Sequence, residues 1–263
     1  MTEYNTNHKF KKSLGQNFLI DREMANKLIE TSEIKSNDLV IEIGPGEGIL
    51  SEMILKKTNN LILIEKDQNL KQSLVEKFST KAGLWFEDVL DIDFAKITKR
   101  EPYHVIGSLP YNVSKKIIFN LLTCDHKPID LTLVIQKEVA KSYASKTPNA
   151  TLLSNFANLH SEVKLYDVIP SESFFPKPQV DGQIIRFTDI CTKVTDYKSL
   201  WRFIRIGFSS PRKILAGNLR TYGKERVEKF LLENNFSRTI RASEINLEDW
   251  VHLHSYVKTS KDD

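Results

Sequence analysis

Leu39-Val40-Ile41-Glu42-Ile43-Gly44-Pro45-Gly46-Glu47-Gly48-Ile49-Leu50 decides how this chain is read. A short aliphatic run suited to a buried strand leads into three glycines and then into a stretch suited to a helix. Glycines at such a junction allow a sharp turn and let the backbone approach a ligand closely. A dinucleotide loop places its third glycine five residues after the first, whereas here Gly48 falls four after Gly44. Glu47 adds a carboxylate inside the loop, where it would repel a pyrophosphate. A phosphate-free ligand is therefore expected. Glu65 stands 21 residues beyond Gly44, after the next aliphatic run, Leu61-Ile62-Leu63-Ile64. A carboxylate at that place can accept both hydroxyls of a ribose. Its other reading is a solvated strand end.

Outward from this loop the alternation continues. Strand-like runs recur at 84–86, 104–106 and 131–135, with helix-like stretches at 22–33, 49–57, 68–78 and 114–122. Strands alternating with helices predict a parallel, doubly wound sheet. Two further strand-like pieces fall at 163–169 and 182–187. From Asp196 the pattern is amphipathic helix throughout, at 196–208, 211–220, 224–235 and 247–257. The change of pattern near 188–195 predicts two domains, 1–189 with a basic N-terminal segment and 190–263.

Composition narrows the class. The 263 residues are 40% hydrophobic and 27% charged, ordinary for a globular chain and enough for two cores. The longest aliphatic runs are far below the ~18 residues of a membrane span. The first twenty residues hold no apolar stretch, so no secretory leader and a cytoplasmic location are expected. Two cysteines 67 positions apart offer neither a disulfide framework nor a paired zinc motif, and no metal is expected. The net charge of +4 is unevenly spread: residues 198–241 hold 11 Lys/Arg against 3 Asp/Glu. Such a block fits a polyanion, with a solvated helical face as the plain alternative. Lys9, Lys11 and Lys12 form a second, weaker cluster.

A glycine loop followed by a ribose-binding acid resembles the pattern of class I methyltransferases, with S-adenosyl-L-methionine as the expected cofactor. In that class the acid of the third strand accepts a hydrogen bond from the adenine amino group, which points to Asp88. Asp91 and Asp93 are read as helix caps or surface charge. The fourth strand runs into Gly107-Ser108-Leu109-Pro110-Tyr111-Asn112. This resembles the (Asn/Asp/Ser)-x-Pro-(Tyr/Phe/Trp) motif of enzymes that methylate exocyclic amines. The lone pair of adenine N6 is delocalised into the ring, and holding its N–H groups on fixed acceptors frees it for attack. One polar side chain, Ser108, and the Leu109 carbonyl beside the proline can be those acceptors. Tyr111 can stack on an extruded base and favour the growing positive charge, or be a buried tyrosine after a proline turn. Phe174-Phe175-Pro176-Lys177-Pro178-Gln179-Val180-Asp181 is stiffened by its prolines. An exposed, rigid aromatic immediately before those prolines is a reasonable second stacking face for the base, with a hydrophobic plug as the alternative.

Taken in order, Lys12-Ser13-Leu14-Gly15-Gln16-Asn17-Phe18-Leu19, Glu42–Gly46, Ser108–Asn112, Gln136-Lys137-Glu138-Val139-Ala140 and Phe174–Asp181 resemble the ribosomal RNA adenine N6,N6-dimethyltransferases of the KsgA type. Phe208-Ser209-Ser210-Pro211-Arg212-Lys213-Ile214-Leu215 resembles that family's basic RNA-contacting helix. The resemblance covers about 9–258. It implies a Rossmann-like methyltransferase domain followed by a small all-helical domain. It implies cofactor contacts at Asn17, Leu19, Gly44, Gly46, Glu65, Asp88 and Ser108, and stacking by Tyr111 and Phe174. RNA contacts would fall to Lys11, Lys12, Arg212, Lys213 and Arg220, the last two sharing a helical face. The implied reaction is dimethylation of two adjacent adenines in the 3′-terminal hairpin loop of small-subunit rRNA. Its setting would be an assembling small ribosomal subunit, with the enzyme a monomer. This chain departs from the pattern at Ser108, where the family has asparagine, and at Pro211-Arg212, where it usually has two arginines. Two other readings remain open: a large-subunit rRNA methyltransferase of the macrolide-resistance type, and an RNA-binding assembly factor with weakened chemistry.

Overall fold

The computed structural model describes residues 16–259. The described residues divide into two compact units, one of residues 16–140 and 162–191 and the other of residues 141–161 and 192–259.

In the first unit a two-residue strand β1 (Phe18–Leu19) precedes α1 (Arg22–Ser32). The carboxylate of Asp21 caps α1 by accepting the N–H groups of Glu23 and Met24. There follow β2 (Leu39–Ile43), α2 (Ile49–Ile54), β3 (Leu61–Ile64), α3 (Lys71–Phe78) and β4 (Gly83–Trp85). Next come α4 (Phe94–Ile97), β5 (Tyr103–Ser108), α5 (Ser114–Thr123), β6 (Asp130–Gln136) and α6 (Lys137–Ala144). After α7 (Leu152–His160), which belongs to the second unit, the first unit resumes with β7 (Glu162–Ile169), β8 (Phe174–Phe175) and β9 (Gly182–Thr188).

Seven strands form one sheet in the order β4-β3-β2-β5-β6-β9-β7. The first five are parallel, as the alternation predicts, and β9 and β7 add antiparallel. The central strands are buried on both faces, which is why they read as unbroken aliphatic runs. The order reverses between β3 and β5 on either side of β2. In open α/β sheets that reversal opens a crevice at the carboxyl ends of the strands. Register aligns those ends: Ile43 pairs with Ile64, Ile64 with Trp85, and Glu42 with Ile106. Gly44, Glu65 and Ser108 thus reach the same edge. Gly107 permits β5 to lie this close, since a Cβ there would stand 2.6 Å from the Ile43 carbonyl oxygen.

The second unit adds α8 (Tyr197–Gly207), α9 (Leu215–Asn218), α10 (Lys224–Glu233) and α11 (Leu247–Thr259) to α7. Phe203, Ile204, Leu215, Leu231, Trp250 and Leu253 build its core, joined by Leu159 of α7. The segmentation expected at 189/190 thus differs in one respect. Residues 141–161 join the helical unit because α7 buries Leu159 against the α8 core, and local pattern does not say which core an amphipathic helix will join.

The helix expected over 211–220 is replaced by a turn, the four-residue α9 and a 3₁₀ turn at Arg220–Tyr222. Pro211 cannot continue α8, and the Asn218 amide donates to the carbonyls of Gly207 and Ser210, folding the segment back on the helix end. Lys213 precedes the short helix and Arg220 follows it, so the two do not share a helical face.

Candidate active site

The loop of Gly44, Pro45, Gly46, Glu47 and Gly48 is built from backbone hydrogen bonds. The Gly44 N–H donates to the Ile64 carbonyl at 2.9 Å, and the Gly48 N–H to Pro45 at 2.9 Å. Gly46 has φ +59° and a Cβ there would lie 2.8 Å from the Phe18 ring, so both conformation and space demand glycine. Phe18 is held over the loop by pairing of β1 with β8, which sets Phe18 against Phe175 and Leu19 against Phe174.

Glu65 is the hub beneath this loop. Its carboxylate accepts the Asp67 N–H at 2.7 Å and the Gly46 N–H at 3.3 Å, tying the end of β3 to the glycine turn. It is a buried group, and burial pushes its carboxyl above the usual range against the pull of those N–H donors. The reading of Glu65 as a solvated strand end is thereby corrected.

Asp88 caps a turn by accepting the Leu90 N–H at 3.1 Å, and also accepts from the Lys66 ammonium at 2.6 Å. Partial burial would raise its carboxyl, but Lys66 and the Leu90 N–H outweigh burial and hold it below the usual range. Asp93 caps α4 through the Lys96 N–H, as expected of a helix cap.

One cleft at the carboxyl edge of the sheet is lined by Asn17, Gly44, Glu65, Asp88 and Ser108, with Ile64, Val89, Leu90, Val113 and Ile117 as apolar wall. Five of the expected cofactor residues thus meet in one place. Gly46 and Leu19 are not on that wall. Gly46 turns its N–H to Glu65, and Leu19 is buried in the core beside a smaller adjoining cleft that Glu47 also lines. An apolar slot with a carboxylate at its edge and another at its floor suits a nucleoside. With Glu47 and Glu65 about the loop, it suits a ligand without phosphate.

At the rim, the Leu109 N–H donates to the Val134 carbonyl at 2.9 Å, which fixes the Ser108–Leu109 peptide. The Pro110 carbonyl already accepts N–H groups from Val113 and Ser114, and the Tyr111 carbonyl accepts the Ser114 hydroxyl. Among the described residues the Leu109 carbonyl accepts no hydrogen bond from this turn, which leaves it open as a peptide acceptor. Tyr111 and Phe174 meet edge to face, with centroids 6.4 Å apart and planes at 72°. The Tyr111 hydroxyl is buried against Gly182 and has no hydrogen-bond partner among the described residues. Burial, with the charge of Asp181 adding, pushes it up to about 12.

Of the two aromatics before the prolines, Phe175 is 38% exposed, whereas Phe174, to which the resemblance assigns stacking, is 2% exposed. In β8 successive side chains point to opposite sides, and pairing with Leu19 turns Phe174 into the core. Lys11 and Lys12 lie outside the described residues. Arg212, Lys213 and Arg220 are all exposed, in the second unit.

Sequence reasoning missed three features. Glu42, the penultimate residue of the buried strand β2, accepts the Ser51 hydroxyl at 2.6 Å while its other oxygen finds no partner among the described residues. Burial, eased by the Ser51 hydrogen bond and reinforced by Glu65, raises it to about 8. A carboxylate inside a five-residue aliphatic run was its signal. The Lys66–Asp88 pair and the Gln16–Asp67 hydrogen bond of 2.7 Å had no local signal, because both join distant segments.

Comparison with known proteins follows the same lines. A sequence profile described as ribosomal RNA adenine dimethylase matches residues 7–259. The chain belongs to this family. The Ribosomal RNA small subunit methyltransferase A of Mycoplasmopsis pulmonis is 34% identical over 257 residues, covering 92% of this chain and 97% of that protein. The protein of the same description from Francisella tularensis subsp. novicida is 32% identical over 260 residues, covering 95% and 98%. Among solved structures, the 23S rRNA methyltransferase ErmE superposes with a TM-score of 0.74 at 23% identity, covering 92% of this chain and 99% of that one. A dimethyladenosine transferase from Plasmodium falciparum gives 0.73 at 20% identity, covering 90% and 95%. These two likenesses carry the Rossmann-like methyltransferase fold. As a member of the adenine dimethylase family, the chain is an S-adenosyl-L-methionine-dependent methyltransferase. Among the described residues no helix is long and apolar enough to cross a membrane.

Proposed function

We propose that this enzyme transfers methyl groups to N6 of two adjacent adenines in the 3′-terminal hairpin loop of small-subunit rRNA. It would act in the cytoplasm as a monomer, on an assembling small ribosomal subunit. The observation that carries this reading is the placement of the Ser108–Tyr111 turn on the rim of the cleft that Glu65 and Asp88 line. Relatives described as acting on the small subunit, at 32–34% identity over nearly the full length, favour that substrate over the large subunit.

The residues would divide the work as follows. Glu65 accepts the ribose hydroxyls, and its two backbone donors keep its oxygens aimed into the cleft. Asp88, already oriented by Lys66 and Leu90, accepts the adenine amino group of the cofactor. Asn17 and Gly44 close the cleft beside Ser108. Bound there, S-adenosylmethionine supplies an electrophilic methyl group. The chain's own task is to present the acceptor amine. The Leu109 carbonyl takes one N–H and the Ser108 hydroxyl takes the other, which draws the nitrogen lone pair out of conjugation. Tyr111 offers its face to the extruded base and to the charge that grows on the amine. Phe174 is buried too deeply to stack on that base and instead braces the Tyr111 ring from the side. Arg212, Lys213 and Arg220 supply exposed cations for the RNA backbone.

The test is transfer of labelled methyl from S-adenosylmethionine to small subunits that lack the modification, with nucleoside analysis of the product. N6,N6-dimethyladenine in the small-subunit rRNA is the expected result. Label found only in large-subunit rRNA would move the enzyme to the macrolide-resistance reading. Cofactor binding without transfer to either subunit would leave an assembly factor.

A further inference from the structure

The second unit distributes its positive charge in two different ways. On α10, Lys224 pairs with Glu228 and Lys229 with Glu233, each four residues apart, so that helix neutralises itself. Lys258 of α11 pairs with Asp196 at 2.6 Å. Helix α8 does the opposite. Its sequence, Tyr197-Lys198-Ser199-Leu200-Trp201-Arg202-Phe203-Ile204-Arg205-Ile206-Gly207, contains no acidic residue. Lys198, Arg202 and Arg205 are exposed, and none has an acidic partner among the described residues. Their spacing of four and then three places them within about 60° of arc on one face, over roughly 10 Å of helix axis. Like charges at this spacing repel and weaken a helix. The fold gains nothing from the arrangement.

We propose that this stripe of α8 is a contact surface for the phosphate backbone of the RNA substrate, in addition to Arg212, Lys213 and Arg220. The inference rests on the rRNA reading above. Charge complementarity selects the occupant. A rise of ~3.4 Å per phosphate along a strand lets the stripe face two to three successive phosphates. An anionic membrane is disfavoured because the apolar residues of α8, Leu200, Phe203, Ile204 and Gly207, are buried in the core of the unit. Ser199 is engaged by His254 at 3.0 Å. Trp201 and Ile206, which flank the stripe, are partly buried against that core, so the outward face offers mainly charge. Long, solvated cations spaced along one helix face match successive phosphates, so the contribution of the stripe is to position the RNA rather than to select a sequence.

The experiment uses the full chain and a transcript of small-subunit rRNA, with binding measured across a salt series. The triple variant K198Q/R202Q/R205Q should bind at least tenfold more weakly at 0.15 M salt. Its log–log salt slope should be shallower by about 2–3, at ~0.7–0.9 per lost contact. Its melting temperature should equal or exceed that of the wild type, since repulsion is relieved, and its affinity for S-adenosylmethionine should be unchanged. The conservative double variant R202K/R205K should keep the slope. Equal RNA affinity and slope in the triple variant would overturn the proposal while leaving the rRNA reading intact. Failure of the wild type itself to bind or methylate the transcript would overturn that reading first. Anionic vesicles that bind the wild type and not the triple variant would assign the stripe to a membrane and reject RNA.

Discussion

Replacing Tyr111 by phenylalanine should stabilise this protein. The phenol oxygen is sealed against Gly182, where an added Cβ would come within 3.1 Å of it, and it has no hydrogen-bond partner among the described residues. A buried hydroxyl without a partner loses its hydration with no return, a cost of about 1–3 kcal/mol. Tyr111→Phe removes the oxygen and keeps the ring against Phe174, so it should recover most of that amount. For a folding unit of this size ~1 kcal/mol corresponds to about 2–4 °C, so a central value of ~2 kcal/mol predicts a rise of roughly 4–8 °C. Tyr111→Ala should move the other way, because it also deletes ring packing worth ~3–5 kcal/mol, more than the ~2 kcal/mol that loss of the hydroxyl returns. Scanning calorimetry of the three proteins reads both signs. Single-turnover methyl transfer supplies the second axis. Tyr111→Phe should stay within about tenfold of wild type, since the face and not the hydroxyl meets the base, and Tyr111→Ala should fall much further with cofactor affinity preserved. A Tyr111→Phe protein that melts below the wild type would refute the argument, showing that the hydroxyl is paired in solution. Normal transfer by Tyr111→Ala would remove the tyrosine from the acceptor site.

Three further outcomes follow from the same geometry. Glu65→Ala should weaken S-adenosylmethionine binding by ~1–3 kcal/mol through lost hydrogen bonds to the ribose, and calorimetry showing wild-type affinity would end that assignment. Ser108→Asn should raise both single-turnover transfer and the dimethyl-to-monomethyl ratio, because a planar amide is a better-fixed acceptor than a rotating hydroxyl. Unchanged values with the fold intact would take Ser108 out of amine orientation. Glu42 is neutral in the folded chain up to about pH 8, because burial disfavours its charge, but ionises near pH 4.3 when unfolded. The folded state therefore binds the extra proton, and this stabilisation is complete below pH ~4.3 and lost as pH rises toward 8. Glu42→Gln cannot titrate, so its stability relative to wild type should improve by on the order of 2–3 kcal/mol between pH 5.5 and 7.5. Parallel denaturation curves for the two proteins at both pH values would contradict the buried, neutral carboxyl.

Each part of the site differs in how far it could be read before folding. Glu65 and Asp88 were legible because a parallel strand delivers its last residue to the same edge every time, so position after an aliphatic run is enough. The Ser108–Tyr111 turn was legible because proline and its neighbours fix local geometry. The burial of Phe174 was not legible, for an equally physical reason. In a two-residue strand the inward and outward side chains differ by one position, and only the pairing of Leu19 with Phe174 decides which is which. Glu42 and Lys66 went unassigned because their partners, Ser51 and Asp88, meet them only after the chain has folded.

Alternation of strand and helix, the glycine spacing, the ordered motifs and the charge excess of 198–241 are properties of neighbouring residues. The sequence by itself therefore determined the parallel sheet, the cleft at its edge, the family and the basic character of the helical unit. Tertiary structure alone decided where residues 141–161 belong, how β9 and β7 extend the sheet antiparallel, and which cations of the basic block stay unpaired. It also broke the expected helix at 211–220, since Asn218 claims the carbonyls at the end of α8. These outcomes depend on which surfaces meet, and contacts between residues distant in sequence leave no period, spacing or composition by which a linear reading could find them.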